Sequence, residues 1–342
     1  MLTEKQYEQI RKELDECANP LFFFHDDADG LASFLLLYRY CREGRGIAVK
    51  SKPIVDMKFF RKVEEFRPDK VFILDVAIVD QEFIDACKVP VIWIDHHQPL
   101  ERNNVKYFNP RKENKDDNQP ASYLCYNVVK QDLWIAMVGC VGDWYMPDFA
   151  PEFVKEYPDF LDIKITDPEI ALFETKLGEL IKFISFLLKG KTSDVNKAVK
   201  ILTRIKDANE LFNIDVASTK YLMKQVAPVQ KNYSALFKSA MKIKCEEGLY
   251  IFQYNDDKMS LTKELSNELL HRIDCGIILI CREKSGEMKC SLRTKKHILP
   301  PIIQEALIGL EGYGGGHEHA CGSVVKKEDF EQFLKRLREQ IN

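Results

Sequence analysis

Five of the seven histidines fall in three short segments that also hold carboxylates or glycines. The first is FFFHDDADG at 22–30, where an apolar run ends and His25, Asp27 and Asp29 follow at alternating positions, then Gly30. Carboxylates packed together repel one another and take up protons, a penalty that a divalent cation removes. An acidic helix N-terminus explains one or two of these Asp residues, but not the histidine with three of them. VFILDVAIVD sets Asp75 at the end of another apolar run; alone, such an Asp is equally a helix cap. VIWIDHHQP ends a third run with Asp95, His96 and His97. Adjacent histidines point in different directions, so one can ligate a metal while the other reaches a substrate. VGCVGDWYMPD ends an apolar helix with Gly142 and Asp143, where the plain alternative is a glycine C-cap. Together His25, Asp27, Asp29, Asp75, His96 and Asp143 could be collected by one cleft. Mixed carboxylates and imidazoles suit Mn²⁺, with Mg²⁺ or Co²⁺ as substitutes, and there are enough ligands for two ions. Two ions about 3.5–4 Å apart suit phosphate-ester hydrolysis, activating water and stabilising the leaving oxygen.

A second group of residues lies far downstream. In EGYGGGHEHACG, at 311–322, consecutive glycines let backbone N–H groups approach an anion, and His317 adds a donor. The two histidines are two apart rather than on one helical face, so a zincin motif is disfavoured. A flexible turn would explain the glycines but not the histidines. Just upstream, 281–297 holds six Lys or Arg against two Glu. Ser291 and Arg293 alternate along a predicted strand and share a face, and Arg suits bidentate phosphate binding. Charge runs are mostly solvated faces, so Arg293 carries more weight than its basic neighbours.

These residues need a scaffold that brings them together. All-apolar runs at 21–24, 71–76 and 91–94, with further strands expected at 47–55 and 105–108, alternate with helical stretches such as 3–17, 31–41, 121–132 and 134–141. That pattern predicts a parallel sheet covered on both faces, and ligands of such sheets bind beyond the carboxyl ends of the strands. Prolines at 147, 151 and 158 interrupt the pattern, and 168–227 reads almost wholly helical without catalytic residue types. A second α/β region follows, with strands expected at 249–254, 276–281 and 287–293 and helices at 260–272, 300–310 and 327–341. The expected division is a metal-binding domain at 1–165, a helical connector at 166–235 and a smaller substrate-binding domain at 236–342.

The chain has 342 residues, 45% of them apolar and 30% charged, with a formal net charge of −3. This length allows two domains or three, and the charge rules out a uniformly basic nucleic-acid coat. No run of about 18 apolar residues appears, so no membrane helix is expected. The charged amphipathic start lacks the features of a signal peptide. Ten scattered cysteines without a CxxC pair read as buried thiols of a cytoplasmic protein rather than as a disulfide or zinc framework.

With these residues in order, the sequence resembles the DHH phosphoesterase superfamily of the type with a C-terminal DHHA1 domain. His25-x-Asp27-x-Asp29-Gly30 looks like its first motif, Asp75 like the second, Asp95-His96-His97 like the naming third and Gly142-Asp143 like the fourth. Gly314-Gly315-Gly316-His317 looks like the DHHA1 glycine signature, and Ser291-x-Arg293 like the phosphate-binding strand before it. The resemblance covers nearly the whole chain and implies an active site in an interdomain cleft. One ion would take His25, Asp27 and Asp75; the other would take Asp29, Asp75, His96 and Asp143. His97 would contact the scissile phosphate while Asp95 orients the histidine pair. Ser291, Arg293, the backbone of Gly314, Gly315 and Gly316, and His317 would hold substrate. The implied activity is Mn²⁺-dependent, exonucleolytic hydrolysis of single-stranded DNA or RNA to mononucleotides, as in RecJ-like proteins. Nanoribonuclease or cyclic-dinucleotide activity on very short substrates is the alternative, as is a role as binding partner of replication or repair proteins. A haloacid-dehalogenase phosphatase with Asp27 as covalent nucleophile would leave Asp95, His96, His97 and the glycine segment without a task.

Overall fold

The computed structural model describes residues 1–50, 54–255 and 259–341. Its chain contacts divide it into two units, Met1–Lys224 and Gln225–Asn342. In chain order the first unit holds α1 (Glu4–Asp15), β1 (Pro20–His25), α2 (Ala28–Cys41), β2 (Arg45–Val49), β3 (Ile54–Val55), α3 (Met57–Phe66), β4 (Lys70–Leu74) and β5 (Ile78–Val79). It continues with α4 (Gln81–Ala86), β6 (Val91–Ile94), β7 (Lys106–Phe108), α5 (Ala121–Val129), α6 (Leu133–Gly142), α7 (Ala150–Glu156), α8 (Pro168–Glu174), α9 (Lys176–Leu187) and α10 (Thr192–Leu202). Helix α11 (Ala217–Ala240) crosses the boundary and carries Pro228, whose missing N–H would have bonded the carbonyl of Lys224. The second unit follows with β8 (Leu249–Asn255), α12 (Thr262–Arg272), β9 (Ile277–Lys284), β10 (Glu287–Arg293), α13 (Leu299–Leu307), β11 (Gly312–His317), β12 (Ala320–Lys326) and α14 (Phe330–Ile341).

The first unit is built on a parallel sheet of order β2-β1-β4-β6-β7. Strands β1, β4 and β6 are buried on both faces, which is why their sequences read as unbroken apolar runs rather than as alternation. Phe23, Ile73 and Trp93 join a core with Val63, Phe83 and Ile84 of α3 and α4. Phe22 and Phe24 pack instead on Phe34 of α2. The chain leaves β1 toward β2 and then crosses back to place β4 on the other side. The order reverses between β1 and β4, the position where open α/β sheets bind ligands.

The strand expected over 47–55 is two strands, β2 and β3, and residues 51–53 lie outside the described region. Helix α2 starts three residues before the expected 31, because the Asp27 carboxylate accepts from Gly30 N at 3.0 Å and caps the helix there. The helix expected over 121–132 stops at Val129, where Lys130 turns left-handed.

Arg39 ties α2 to two loops. Its guanidinium donates to both carboxylate oxygens of Asp132 at 2.7 and 2.8 Å, and to the carbonyls of Thr203 and Ile205. Arg39→Ala should cost about 3 kcal/mol, since a partly buried carboxylate loses its partner. That corresponds to a fall of about 6–12 °C in the melting temperature of a unit this size. A calorimetric shift under about 2 °C, less than 1 kcal/mol at this size, would show the pair to be dispensable.

The second unit carries a mixed sheet of order β11-β12-β10-β9-β8, antiparallel except for the β8–β9 pair. Cys245 and Cys275 are joined as a disulfide, which corrects the expectation that every cysteine is a thiol. The sequence hides the pairing because thirty residues separate the two. The parallel pairing of β8 and β9 sets Leu249 beside Ile277, which brings the residues leading into each strand together. The other eight cysteines are free, five of them buried. The glycine segment is not a turn: Gly312–His317 is edge strand β11, paired with β12.

Candidate metal centre and anion shelf

Register gathers the first group of residues. Phe24 pairs with Leu74, Leu74 with Ile94 and Ile94 with Phe108. The next residue on each strand is therefore His25, Asp75, Asp95 and Asn109, four polar groups in one row at the carboxyl edge. The close approach of α2 needs Gly30, because a Cβ there would stand 2.4 Å from the carbonyl oxygen of His25.

Asp75 is the centre of the row. It is 2% exposed and left-handed at φ 55°, a conformation that short polar side chains tolerate best. Its two oxygens face different partners. Oδ2 lies 3.3 Å from His25 Nδ1, which is itself 3.0 Å from Asp27 Oδ2. Oδ1 lies 3.3 Å from His96 Nε2, which stands 3.5 Å from Asp143 Oδ2 and 4.0 Å from Asp29 Oδ2. Three groups have donor atoms close enough to share an ion: His25, Asp27 and Asp75; Asp29, His96 and Asp143; and Asp75, His96 and His97. All six residues expected as metal ligands thus come together.

Of the helix-cap alternatives, the one at the start of α2 also holds, whereas Asp75 caps no described helix, α4 starting after Asp80, and the C-cap of α6 is Asp143 rather than Gly142. Asp27 caps α2 with Oδ1 and turns Oδ2 to His25. Asp29 accepts from Ala121 N and Ser122 N, at 2.9 and 2.8 Å, at the start of α5. Burial, with Asp75 and Asp143 nearby, holds the Asp29 carboxyl well above the usual carboxylate range. Burial works against a charged imidazole at His25, but Asp27 and Asp75 outweigh it and raise its pKa well above the ordinary value. His96 behaves likewise, through Asp143, Asp75 and Asp29. The cluster of carboxylates thus favours positive charge at both imidazoles. Hard oxygens and two imidazoles with donors about 3–4 Å apart suit a divalent cation such as Mn²⁺ or Mg²⁺.

His97 is held differently. Its Nδ1 lies 2.7 Å from Asp95 Oδ1, and its backbone N donates to Asp95 Oδ2. Sequence reading missed the next layer. Tyr107 OH donates to Asp95 Oδ2, and Asn109 Nδ2 donates to Tyr107 OH and to the carbonyl of His97. Asn109 follows β7 as Asp75 and Asp95 follow their strands, and that position was the available signal.

The second unit has its own polar face. Arg293 pairs with Ala320 and Ala320 with His317; Ser291 pairs with Gly322 and Gly322 with Gly315. Paired residues of antiparallel strands point to the same side, so Ser291, Arg293 and His317 share one face with Ala320, Gly322 and Gly315. A Cβ at Gly315 would meet nothing within 4 Å, whereas one at Gly314 would strike Ile303 at 2.7 Å. Arg293, Ala320 and His317 therefore form a row about 10 Å across, and Gly322 and Gly315, one row over beside Ser291, make an open shelf there. Gly314 faces α13 through Ile303 and not the shelf, so only its backbone is available to an anion. Arg293 donates from Nε to Asn267 Oδ1 at 2.6 Å and from Nη1 to the carbonyls of Leu292 and Cys321. Burial lowers its pKa to about 10, which leaves it charged at neutral pH.

Residues 21–141 match the DHH family, N-terminal domain, and residues 248–342 match the DHHA1 domain. The chain belongs to the DHH family. The DHH match takes in the row at the strand ends, and the DHHA1 match takes in the shelf. No curated protein sequence matches the chain. RecJ from Thermus thermophilus, solved with Mn²⁺, superposes with a TM-score of 0.70 at 15% identity, covering 99% of this chain and 55% of that one. The DHH chain thus spans about half the length of that RecJ. An exonuclease RecJ bound to manganese gives 0.62 at 16% identity over 99% and 95% of the two chains. CDC45 from Entamoeba histolytica gives 0.51 at 11% identity over 98% and 99%. At these identities the likeness is one of fold. No helix among the described residues is long and apolar enough to cross a membrane.

Proposed function

We propose that this DHH protein is a metal-dependent phosphodiesterase that removes mononucleotides exonucleolytically from single-stranded DNA or RNA. The observation that carries this reading is Asp75, whose two oxygens face two separate ligand sets. His25, Asp27 and Asp75 would hold one Mn²⁺ ion, and Asp29, Asp75, His96 and Asp143 would hold the other, with Mg²⁺ or Co²⁺ as substitutes. Bound divalent ions supply positive charge to the scissile phosphate and lower the pKa of the attacking water. The protein's own part is positional. Asp95 accepts from His97 Nδ1, which leaves Nε2 as the imidazole atom for the scissile phosphate. Tyr107 and Asn109 keep Asp95 in place. Ser291, Arg293, His317 and the backbone of Gly314, Gly315 and Gly316 hold a neighbouring phosphate. Residues 1–165 form the catalytic domain, 166–235 the connector and 236–342 the substrate-binding domain. The many free cysteines are in keeping with a cytoplasmic location.

The deciding assay offers single-stranded DNA and RNA ladders, from two nucleotides to about thirty, labelled at either end, with Mn²⁺ or Mg²⁺. Stepwise mononucleotide release from long strands is expected. Cleavage confined to the shortest oligomers, or to cyclic dinucleotides, would identify a scavenger instead. No cleavage at all would leave the role of partner to replication or repair proteins. That role rests on fold likeness to CDC45, whereas the complete ligand set favours an enzyme.

The shelf makes a paired prediction. Gly315→Leu should weaken binding of a short oligonucleotide about 10- to 100-fold, through lost charge-assisted contacts, with an unchanged melting temperature. Gly314→Leu should lower the melting temperature, because its side chain meets Ile303 and Ser323. Anisotropy and thermal melts separate the two; equal effects of both variants on stability would contradict the open shelf.

A further inference from the structure

The dipeptide Ser266-Asn267 of α12 lies against Ser291 and Arg293 of β10. Ser266 Oγ is 2.9 Å from Ser291 Oγ, and both serines are buried. Asn267 Oδ1 accepts from Arg293 Nε at 2.6 Å. With Nη1 turned to the carbonyls of Leu292 and Cys321, the guanidinium is held on two of its edges, and its Nη2 donors are left for something else. Arg is useful for anions because its donors form a rigid fork, but the long side chain below the fork is flexible. A fork already held by Nε spends little further side-chain freedom on binding.

We infer that Asn267 is a positioning residue: it orients the Arg293 guanidinium so that Nη2 meets a substrate phosphate. The inference rests on the proposed function, in that Arg293 is taken to bind a nucleic-acid phosphate. Asn267 acts through Arg293 alone and does not touch the substrate.

The test uses the full chain and fluorescein-labelled single-stranded pentathymidylate, with EDTA present so that binding is read without hydrolysis. Asn267→Leu keeps the shape of the side chain and removes the acceptor; Asn267→Ala is the second variant should the leucine disturb packing. Either should weaken binding about five- to tenfold. In an Arg293→Ala background neither should weaken it further. With Mn²⁺ and hydrolysable substrate, KM should rise by the same factor while kcat stays within about twofold. Binding as tight as wild type, the same loss with and without Arg293, or a fall in kcat at constant KM would each overturn the inference. A wild-type protein that binds the probe but hydrolyses nothing would defeat the phosphodiesterase reading and leave the coupling measurable. A wild-type protein that does not bind the probe would defeat both.

Discussion

Asp75→Asn is expected to lower kcat/KM by at least about a thousandfold while leaving the fold in place. The substitution is close to isosteric, and Asn tolerates the left-handed conformation at φ 55°, so the backbone has no reason to move. What changes is charge at the one carboxylate whose oxygens face both ligand sets. An amide offers one neutral oxygen and turns an NH₂ group toward either His25 or His96. One set would keep only Asp27, or only Asp29 and Asp143, as anionic ligands, and the two sets would no longer share a carboxylate. A two-ion site would supply charge to both the attacking and the leaving oxygen, so loss of the shared carboxylate would weaken both effects together. Manganese titration by electron paramagnetic resonance should show the count of tightly bound ions falling from two to one or none. Retained activity with two ions bound would remove Asp75 from the centre of the site.

The second large effect is a pH-dependent stabilisation by Mn²⁺. In the metal-free protein the carboxylates around His25 and His96 raise both imidazole pKa values well above the ordinary value. Such groups contribute stability fully below the unfolded value of about 6.5, and the contribution is lost as pH rises through the folded value. Each must also shed its proton before it can ligate. Both effects point the same way. At pH 6 the protons already neutralise the cluster and compete with metal. At pH 8 they are held less firmly and the ion has more to offset. Saturating Mn²⁺, at about a hundredfold excess over Kd, contributes about 2.7 kcal/mol, or about 5–10 °C for the first unit. The shift at pH 6, at the same Mn²⁺ concentration, should be less than half of that at pH 8. Proton release on binding, read calorimetrically in two buffers of different ionisation enthalpy, should accompany it. A Mn²⁺ shift independent of pH, with no proton release, would mean that neither histidine is a ligand.

The candidate metal centre was legible because parallel strands buried on both faces are apolar throughout. In such a sequence the first polar residue after a run marks the carboxyl edge, and His25, Asp75 and Asp95 mark it three times. The second unit was less open to reading. Its glycines carry no side chains to pattern, so β11 looks like a turn, and only pairing with β12 gives it a register. The disulfide between Cys245 and Cys275 depends on two parallel strands lying side by side, which no local spacing encodes.

Residue types and their order along the chain pointed on their own to a DHH protein and named the residues expected as a two-part ligand set and as an anion-binding strand. They did so because chemistry and burial leave local signatures in sequence. Tertiary structure alone decided that Asp75 turns one oxygen to each set and that Asp29 serves both α5 and the cluster. It alone showed that Tyr107 and Asn109 stand behind Asp95, and Asn267 behind Arg293. Those are relations of direction between side chains on different strands and helices, and direction is set by packing and register rather than by the identity of any one residue.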